Sequence, residues 1–142
     1  MISCTRRLEF DAAHRLLGHE SKCINVHGHR YAVEITCWAE ELDGVGRVVD
    51  FSVIKKAVGG WIDRDLDHVY ISHQHDPIHT LLLKAGLQVY LMPLGEEPTA
   101  ENMARMIAKK AQELLAPWKL LVDRVRLYET PNCWADWSAS DE

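Results

Sequence analysis

The stretch 26–40, Val26-His27-Gly28-His29-Arg30-Tyr31-Ala32-Val33-Glu34-Ile35-Thr36-Cys37-Trp38-Ala39-Glu40, alternates as a strand does. With a period of two, His27, His29, Tyr31, Val33 and Ile35 fall on one face. Two imidazoles at i and i+2 then converge on one side. Gly28 between them carries no side chain on the other, which leaves room for close approach of a neighbouring segment. Toward the N-terminus the same period recurs in Ser3 to His14, where Leu8, Phe10, Ala12 and His14 share one face and Arg7, Glu9 and Asp11 the other. The polar segment from Arg15 to Lys22 contains glycine and reads as a loop. If the two strands are antiparallel neighbours, His14 meets His27 and His29.

Toward the C-terminus, Asp43-Gly44 and Gly46 mark a turn and Val48-Val49 extend the sheet briefly. Asp50 is an N-cap for a helix from Phe51 to Ile62, with Ile54, Val58, Trp61 and Ile62 inward and Gly59-Gly60 weakening it. A short helix from Pro77 to Lys84 and a strand from Leu87 to Met92 are expected in the less regular stretch that follows. Thr99 caps the strongest helix, with Met103, Met106, Ile107, Ala111, Leu114 and Leu115 at helical spacing until Pro117. The last strand, Leu120 to Glu129, puts Val125, Leu127 and Glu129 on one face, and the tail from Thr130 is turn-like. The order predicts an α+β domain with helices packed on one face of an antiparallel sheet.

The chain has 142 residues, 47% hydrophobic and 26% charged, which is one soluble domain over residues 1–142. No apolar run approaches the roughly 20 residues of a membrane span. The net charge of −5 gives no basic face for nucleic acid or membrane. Two arginines near the N-terminus precede no apolar segment, so no export signal is expected. The four irregularly spaced cysteines then read as reduced thiols of a cytoplasmic protein.

Eight histidines stand out, and they cluster. Three neutral imidazoles (His14, His27, His29) with an open fourth position are the ligand set of a catalytic zinc. Satisfied core or surface histidines are the plain alternative. His73, His75 and His79 form a rival set, read here as exposed loop. Cys23 lies four residues before His27, close to Lys22, where a thiolate makes a usable base or nucleophile. A buried small hydrophobe, a fourth metal ligand or a surface thiol are equally open for it. Cys4 and Cys37 read as packing. Asp67-His68 can form an oriented acid–base pair if a turn brings them together. Glu129 closes an apolar strand face, either dipping into water or accepting a planar N–H pair of a ligand. Thr99 and Glu101 have a sufficient explanation in helix capping.

Phe10-Asp11-Ala12-Ala13-His14, Cys23-x-x-x-His27-Gly28-His29, Val49-Asp50-Phe51, Leu66-Asp67-His68, Pro98-Thr99-Ala100-Glu101-Asn102 and Glu129-Thr130, in this order, resemble the 6-pyruvoyl-tetrahydropterin synthase family. The resemblance implies a tunnelling fold (T-fold), an antiparallel four-stranded sheet with helices on one face, in trimers that pair into hexamers. It implies Zn2+ on His14, His27 and His29, Cys23 as catalytic thiol, and Asp67 and His68 as a proton-transfer set supplied across a subunit interface. Glu129 would anchor a pterin ring, with Thr99 and Glu101 lining that pocket. The three-residue gap between Cys23 and His27 resembles the branch that forms 6-carboxy-tetrahydropterin for queuosine. The implied substrate is 7,8-dihydroneopterin triphosphate, and Arg15, His19 and Lys22, in the loop between the two histidine-bearing strands, are the candidates to meet its phosphates. The alternatives are the pyruvoyl-forming reaction, a side-chain aldolase, and a zinc-stabilised pterin-binding module without turnover.

Overall fold

Strand β1 (Ser3–His14) and strand β2 (His27–Trp38) pair antiparallel over their whole length, with Phe10 opposite Tyr31, Ala12 opposite His29 and His14 opposite His27. Opposed residues of such a ladder project to the same side, so the two alternations merge into one face. Leu8, Phe10, Ala12, Tyr31, Val33 and Ile35 are all buried on it. Phe10 and Tyr31 stack with ring centroids 5.0 Å apart. A Cβ at Gly28 would meet the Ala12 carbonyl oxygen at 3.4 Å, an ordinary contact distance, so the pairing with β1 does not itself require glycine there. These elements belong to a computed structural model that describes residues 1–142.

Strand β5 (Leu121–Thr130) adds antiparallel to β2, and β6 (Cys133–Ser138) antiparallel to β5. On the other side, β3 (Val69–Ser72) and β4 (Val89–Leu91) add in parallel. The order is β4-β3-β1-β2-β5-β6. The expected four-stranded antiparallel sheet is thereby corrected to a six-stranded mixed one, in which β1, β2, β5 and β6 form the antiparallel part. Strand β4 lies inside the strand expected over Leu87 to Met92, but β3 is short and every residue of Val69–Ser72 is buried, which erases the period of two. The tail expected to be turn-like supplies β6. Val48 and Val49 stay outside the sheet and pack on the core from a loop.

The helices cover the apolar face. The Asp50 carboxylate accepts from the Ser52 N–H at 2.8 Å and opens α1 (Phe51–Ile54). A π turn over Lys55–Gly59 continues it into α2 (Gly60–Asp65). Ile54, Val58, Trp61 and Ile62 are buried as their spacing requires. A Cβ at Gly59 would lie 3.3 Å from Leu8 Cδ2, so the residue that weakens the helix also lets it lie against β1. After the short α3 (Pro77–Lys84), α4 (Ala100–Leu115) buries Met103, Ala104, Ile107, Ala108, Ala111 and Leu115 against the sheet. Thr99 Oγ1 accepts from the Asn102 N–H at 3.2 Å and caps α4. Thr99→Ala is expected to lower stability by about 1 kcal/mol through the lost cap. A urea midpoint equal to that of the parent protein would show that other contacts hold the helix start.

Three edges remain open. Ser3 to Phe10 of β1 have no strand partner on the side away from β2, β6 has none beyond β5, and the short β4 has none beyond β3. No helix is long and apolar enough to cross a membrane.

Candidate metal centre and active site

The register of β1 and β2 brings the three histidines together. Their ring centroids form a triangle with sides of 4.7, 5.1 and 5.0 Å, and a nitrogen from each lies within 4.8 Å of the others. His14 Nδ1 lies 2.7 Å from the Pro98 carbonyl oxygen, and His27 Nδ1 lies 2.8 Å from that of Asn25. A carbonyl only accepts, so both Nδ1 atoms carry the proton and both Nε2 atoms present lone pairs. Those two Nε2 atoms are 3.1 Å apart. Neither has a proton to share, so the contact is repulsive unless a cation draws both. His29 Nε2 is buried with no hydrogen-bond partner. Burial first, with the neighbouring His27 and His29, lowers the His14 imidazolium to about 4 despite the favourable Pro98 carbonyl. His14 is thus a neutral imidazole, and His14 and His27 have their outer nitrogens already fixed by backbone carbonyls, which is how proteins prepare zinc ligands. The donor set fits Zn2+ with a position left open.

Glu129, on β5, stands beside this cluster. Its Oε1 is 4.0 Å from His14 Nε2 and its Oε2 is 3.9 Å from His29 Nε2. It approaches only two of the three imidazoles, and its side chain is partly exposed, so a ligand beside the histidines can reach it. Cys23 lies in the 3₁₀ turn Lys22–Ile24, half-buried and outside the three-histidine set. The fourth-ligand reading of Cys23 is therefore not what the geometry offers. Cys4 and Cys37 face each other across the β1–β2 ladder as free thiols, and burial pushes the Cys37 thiol up to about 12, which suits packing.

Asp67 and His68 do meet, as the turn requirement demanded. Asp67 Oδ2 lies 2.9 Å from His68 Nδ1, and Asp67 Oδ1 accepts from the Asp11 N–H at 2.9 Å. His68 adopts a left-handed backbone (φ 60°) and donates its N–H to the Asp11 carbonyl at 2.6 Å, turning the chain from α2 into β3. Burial would raise the Asp67 carboxyl, but the Asp11 N–H, His68 and the charge of Arg30 outweigh it and hold it below the ordinary range. The pair sits with the Asp11 carboxylate, which Arg30 holds at 2.9 Å. Asp11 alternates with Ala12 and His14 along β1, so within one chain the dyad and the three histidines lie on opposite faces of the sheet.

Other expectations fare differently. Pro98 touches His14, so the residue before Thr99 is at the centre, but the Thr99 hydroxyl serves as cap. Glu101 is exposed and makes no side-chain hydrogen bond or ion pair within the chain. Arg15 is not free for phosphates through its whole fork, since its Nε and one Nη bind Asp76 at 3.0 and 2.8 Å. His73, His75 and His79 do not gather as a ligand set. His73 Nδ1 accepts from the His75 N–H at 2.9 Å, and His79 belongs to α3 instead of a loop, with its Nδ1 buried and unpartnered.

Two residues escaped sequence reasoning. Asp76 is 1% exposed and accepts from Arg15, from the Tyr70 hydroxyl at 2.6 Å and from the Ile78 N–H at 3.0 Å. The Asp76-Pro77 pair at a helix start was the available signal for the last contact alone. Glu97 binds the Leu17 and Gly18 N–H groups at 2.9 and 2.7 Å, and nothing local announces it.

The family model for 6-pyruvoyl tetrahydropterin synthase matches residues 3–140. The chain belongs to that family. A relative from Rickettsia bellii, named 6-carboxy-5,6,7,8-tetrahydropterin synthase, is 44% identical over 139 residues, covering 96% of this chain and 99% of its own length. A relative of the same name from Haemophilus influenzae is 31% identical over 144 residues, with the same coverage. Among solved structures, an uncharacterized protein from Wolinella succinogenes superposes with a TM-score of 0.83 at 20% identity, covering 97% of this chain and 98% of that one. The 6-pyruvoyl tetrahydropterin synthase of Caenorhabditis elegans gives 0.68 at 23% identity, covering 97% and 95%. At such identities these likenesses speak for the fold of the family.

Proposed function

We propose that this chain is a zinc-dependent 6-carboxy-5,6,7,8-tetrahydropterin synthase of the queuosine route, converting 7,8-dihydroneopterin triphosphate to 6-carboxy-tetrahydropterin, acetaldehyde and triphosphate. The observation that carries the reading is the convergence beside Glu129 of two Nε2 lone pairs, from His14 and His27, with the buried and unpartnered Nε2 of His29. The name shared by relatives at up to 44% identity supports the carboxy-forming branch. His14, His27 and His29 would hold Zn2+, which as a Lewis acid polarises oxygens of the substrate side chain. Glu129 accepts the paired N–H groups of the pterin ring edge. Cys23 and His68 move protons on and off the side-chain carbons. Asp67 accepts the Nδ1 proton of His68, which leaves His68 Nε2 as the working atom.

The dyad faces away from the histidines of its own chain. A complete site therefore takes Cys23 and the metal from one subunit and Asp67-His68 from another copy, in a trimer-based homo-oligomer, a hexamer when trimers pair. The open edges of β1 and β6 support such an assembly, because unpaired strand edges are templates for pairing with a second chain.

Mass spectrometry of products from 7,8-dihydroneopterin triphosphate tests the activity. A 6-carboxy-tetrahydropterin product with acetaldehyde is expected. A 6-pyruvoyl product would keep the site and overturn the branch, and unchanged substrate with zinc-loaded protein would reduce the chain to a binding module. Mixing tests the assembly. Cys23→Ala and His68→Ala proteins, inactive separately, are expected to regain activity in about a quarter of their sites when unfolded together and reassembled at equal amounts. Continued inactivity of the zinc-loaded mixture would put both groups in one chain's site.

A further inference from the structure

The loop between β1 and β2 carries Cys23 but no regular structure that would hold it beyond one 3₁₀ turn. Its base is closed by a single backbone bond, Leu16 N–H to the Cys23 carbonyl, at 2.8 Å. The residues next to that bond, Leu17 and Gly18, give their N–H groups to the two oxygens of Glu97. Glu97 lies some eighty residues away in sequence, in the approach to α4. That approach is itself held rigidly. The Asn102 side-chain amide donates to the Glu97 carbonyl at 3.0 Å. Arg105 donates to Asn102 Oδ1 at 2.7 Å and to Glu96 at 3.0 Å. The next residue, Pro98, offers its carbonyl to His14. One short segment, 96–99, thus grips a metal ligand with its backbone and the thiol-bearing loop with a side chain, both referenced to the first turns of the most buried helix.

We infer that Glu97 is a positioning residue that sets Cys23 against the three-histidine centre. A carboxylate accepting two successive backbone N–H groups fixes both the place and the tilt of a loop, which a single contact does not. The inference rests on Cys23 being the catalytic thiol. It also gives the sequence Glu97-Pro98-Thr99-Ala100-Glu101-Asn102 a physical role. Asn102 holds the carbonyl of Glu97, and Thr99 starts the helix that holds Asn102.

The test uses zinc-loaded protein with Glu97→Ala and, as the milder change, Glu97→Gln, which keeps one acceptor oxygen of the two. Misplacing a reacting group by about 1 Å costs about 100-fold, so kcat of Glu97→Ala is expected to fall about 100-fold. KM should stay within about twofold and Glu97→Gln should fall between. The second readout needs no substrate. The rate of Cys23 alkylation by iodoacetamide, followed by peptide mass spectrometry, should shift at least about fivefold relative to exposed Cys133. If the alanine protein does not fold, the glutamine protein carries the same comparison. An unchanged Cys23-to-Cys133 ratio in a folded, zinc-loaded variant overturns the inference. So does a kcat equal to that of the parent protein. If the parent protein yields no product, the proposed activity fails while the alkylation ratio still decides the role of Glu97.

Discussion

Cys23→Ala is expected to reduce turnover of 7,8-dihydroneopterin triphosphate by about 10³-fold, within the range lost when a positioned proton-transfer group is removed. The variant should still carry zinc at the parent stoichiometry. The reason is geometric. The three imidazoles already present their Nε2 atoms to one point, two of them with Nδ1 bound to the backbone carbonyls of Pro98 and Asn25, and Cys23 is no member of that set. Removal of the thiol leaves these contacts untouched and should change the melting temperature little, since Cys23 is only half-buried. Metal analysis and product formation on the same sample separate the outcomes. Loss of zinc together with activity would make Cys23 a ligand and the centre a structural one. Retained activity would move the proton transfer elsewhere.

Asp76→Ala should produce the largest loss of stability, about 1–3 kcal/mol, the cost of leaving the buried Tyr70 hydroxyl and the partly buried Arg15 fork without their acceptor. Arg15 would lose both bonds of its fork, the Tyr70 hydroxyl its acceptor, and α3 its cap. Because Arg15 follows His14 directly, the damage reaches the start of the Cys23 loop. The same carboxylate predicts a pH dependence. Burial on its own would raise its pKa. The hydrogen bonds from Arg15, Tyr70 and the Ile78 N–H outweigh burial and bring it from 3.8 to about 2. A folded-state value below the unfolded one means that Asp76 contributes its full share above about pH 4, and that this share fades as the pH falls toward 2. Urea midpoints of the parent protein should decline across that window more steeply than those of Asp76→Asn. Parallel declines would assign the acid sensitivity to other carboxylates.

Much of the centre was legible because it depends on local pattern. Alternation in Ser3–His14 and His27–Trp38 places His14, His27 and His29 on the apolar face, and antiparallel pairing of neighbouring strands then brings them together. The caps at Asp50 and Thr99 and the buried stripe of α4 follow from short-range hydrogen bonding and the helical period. Strand β3 was obscured because four residues, all buried, display no period, whereas β4 lies inside the strand expected over Leu87 to Met92. Asp67-His68 was recognisable as a pair, but its face was not, since that depends on how the turn after α2 docks on Asp11.

By itself, then, the sequence determined which residues face inward, which helices are capped, and which three imidazoles share a side, because side-chain periodicity is a property of neighbours along the chain. Only the tertiary structure decided that the dyad lies across the sheet from the histidines, that Asp76 claims Arg15, and that Glu97 grips Leu17 and Gly18. Those contacts join residues some sixty to eighty positions apart, where the pairing is chosen by packing and by the need to satisfy buried charge and backbone N–H groups, and no local pattern records that choice.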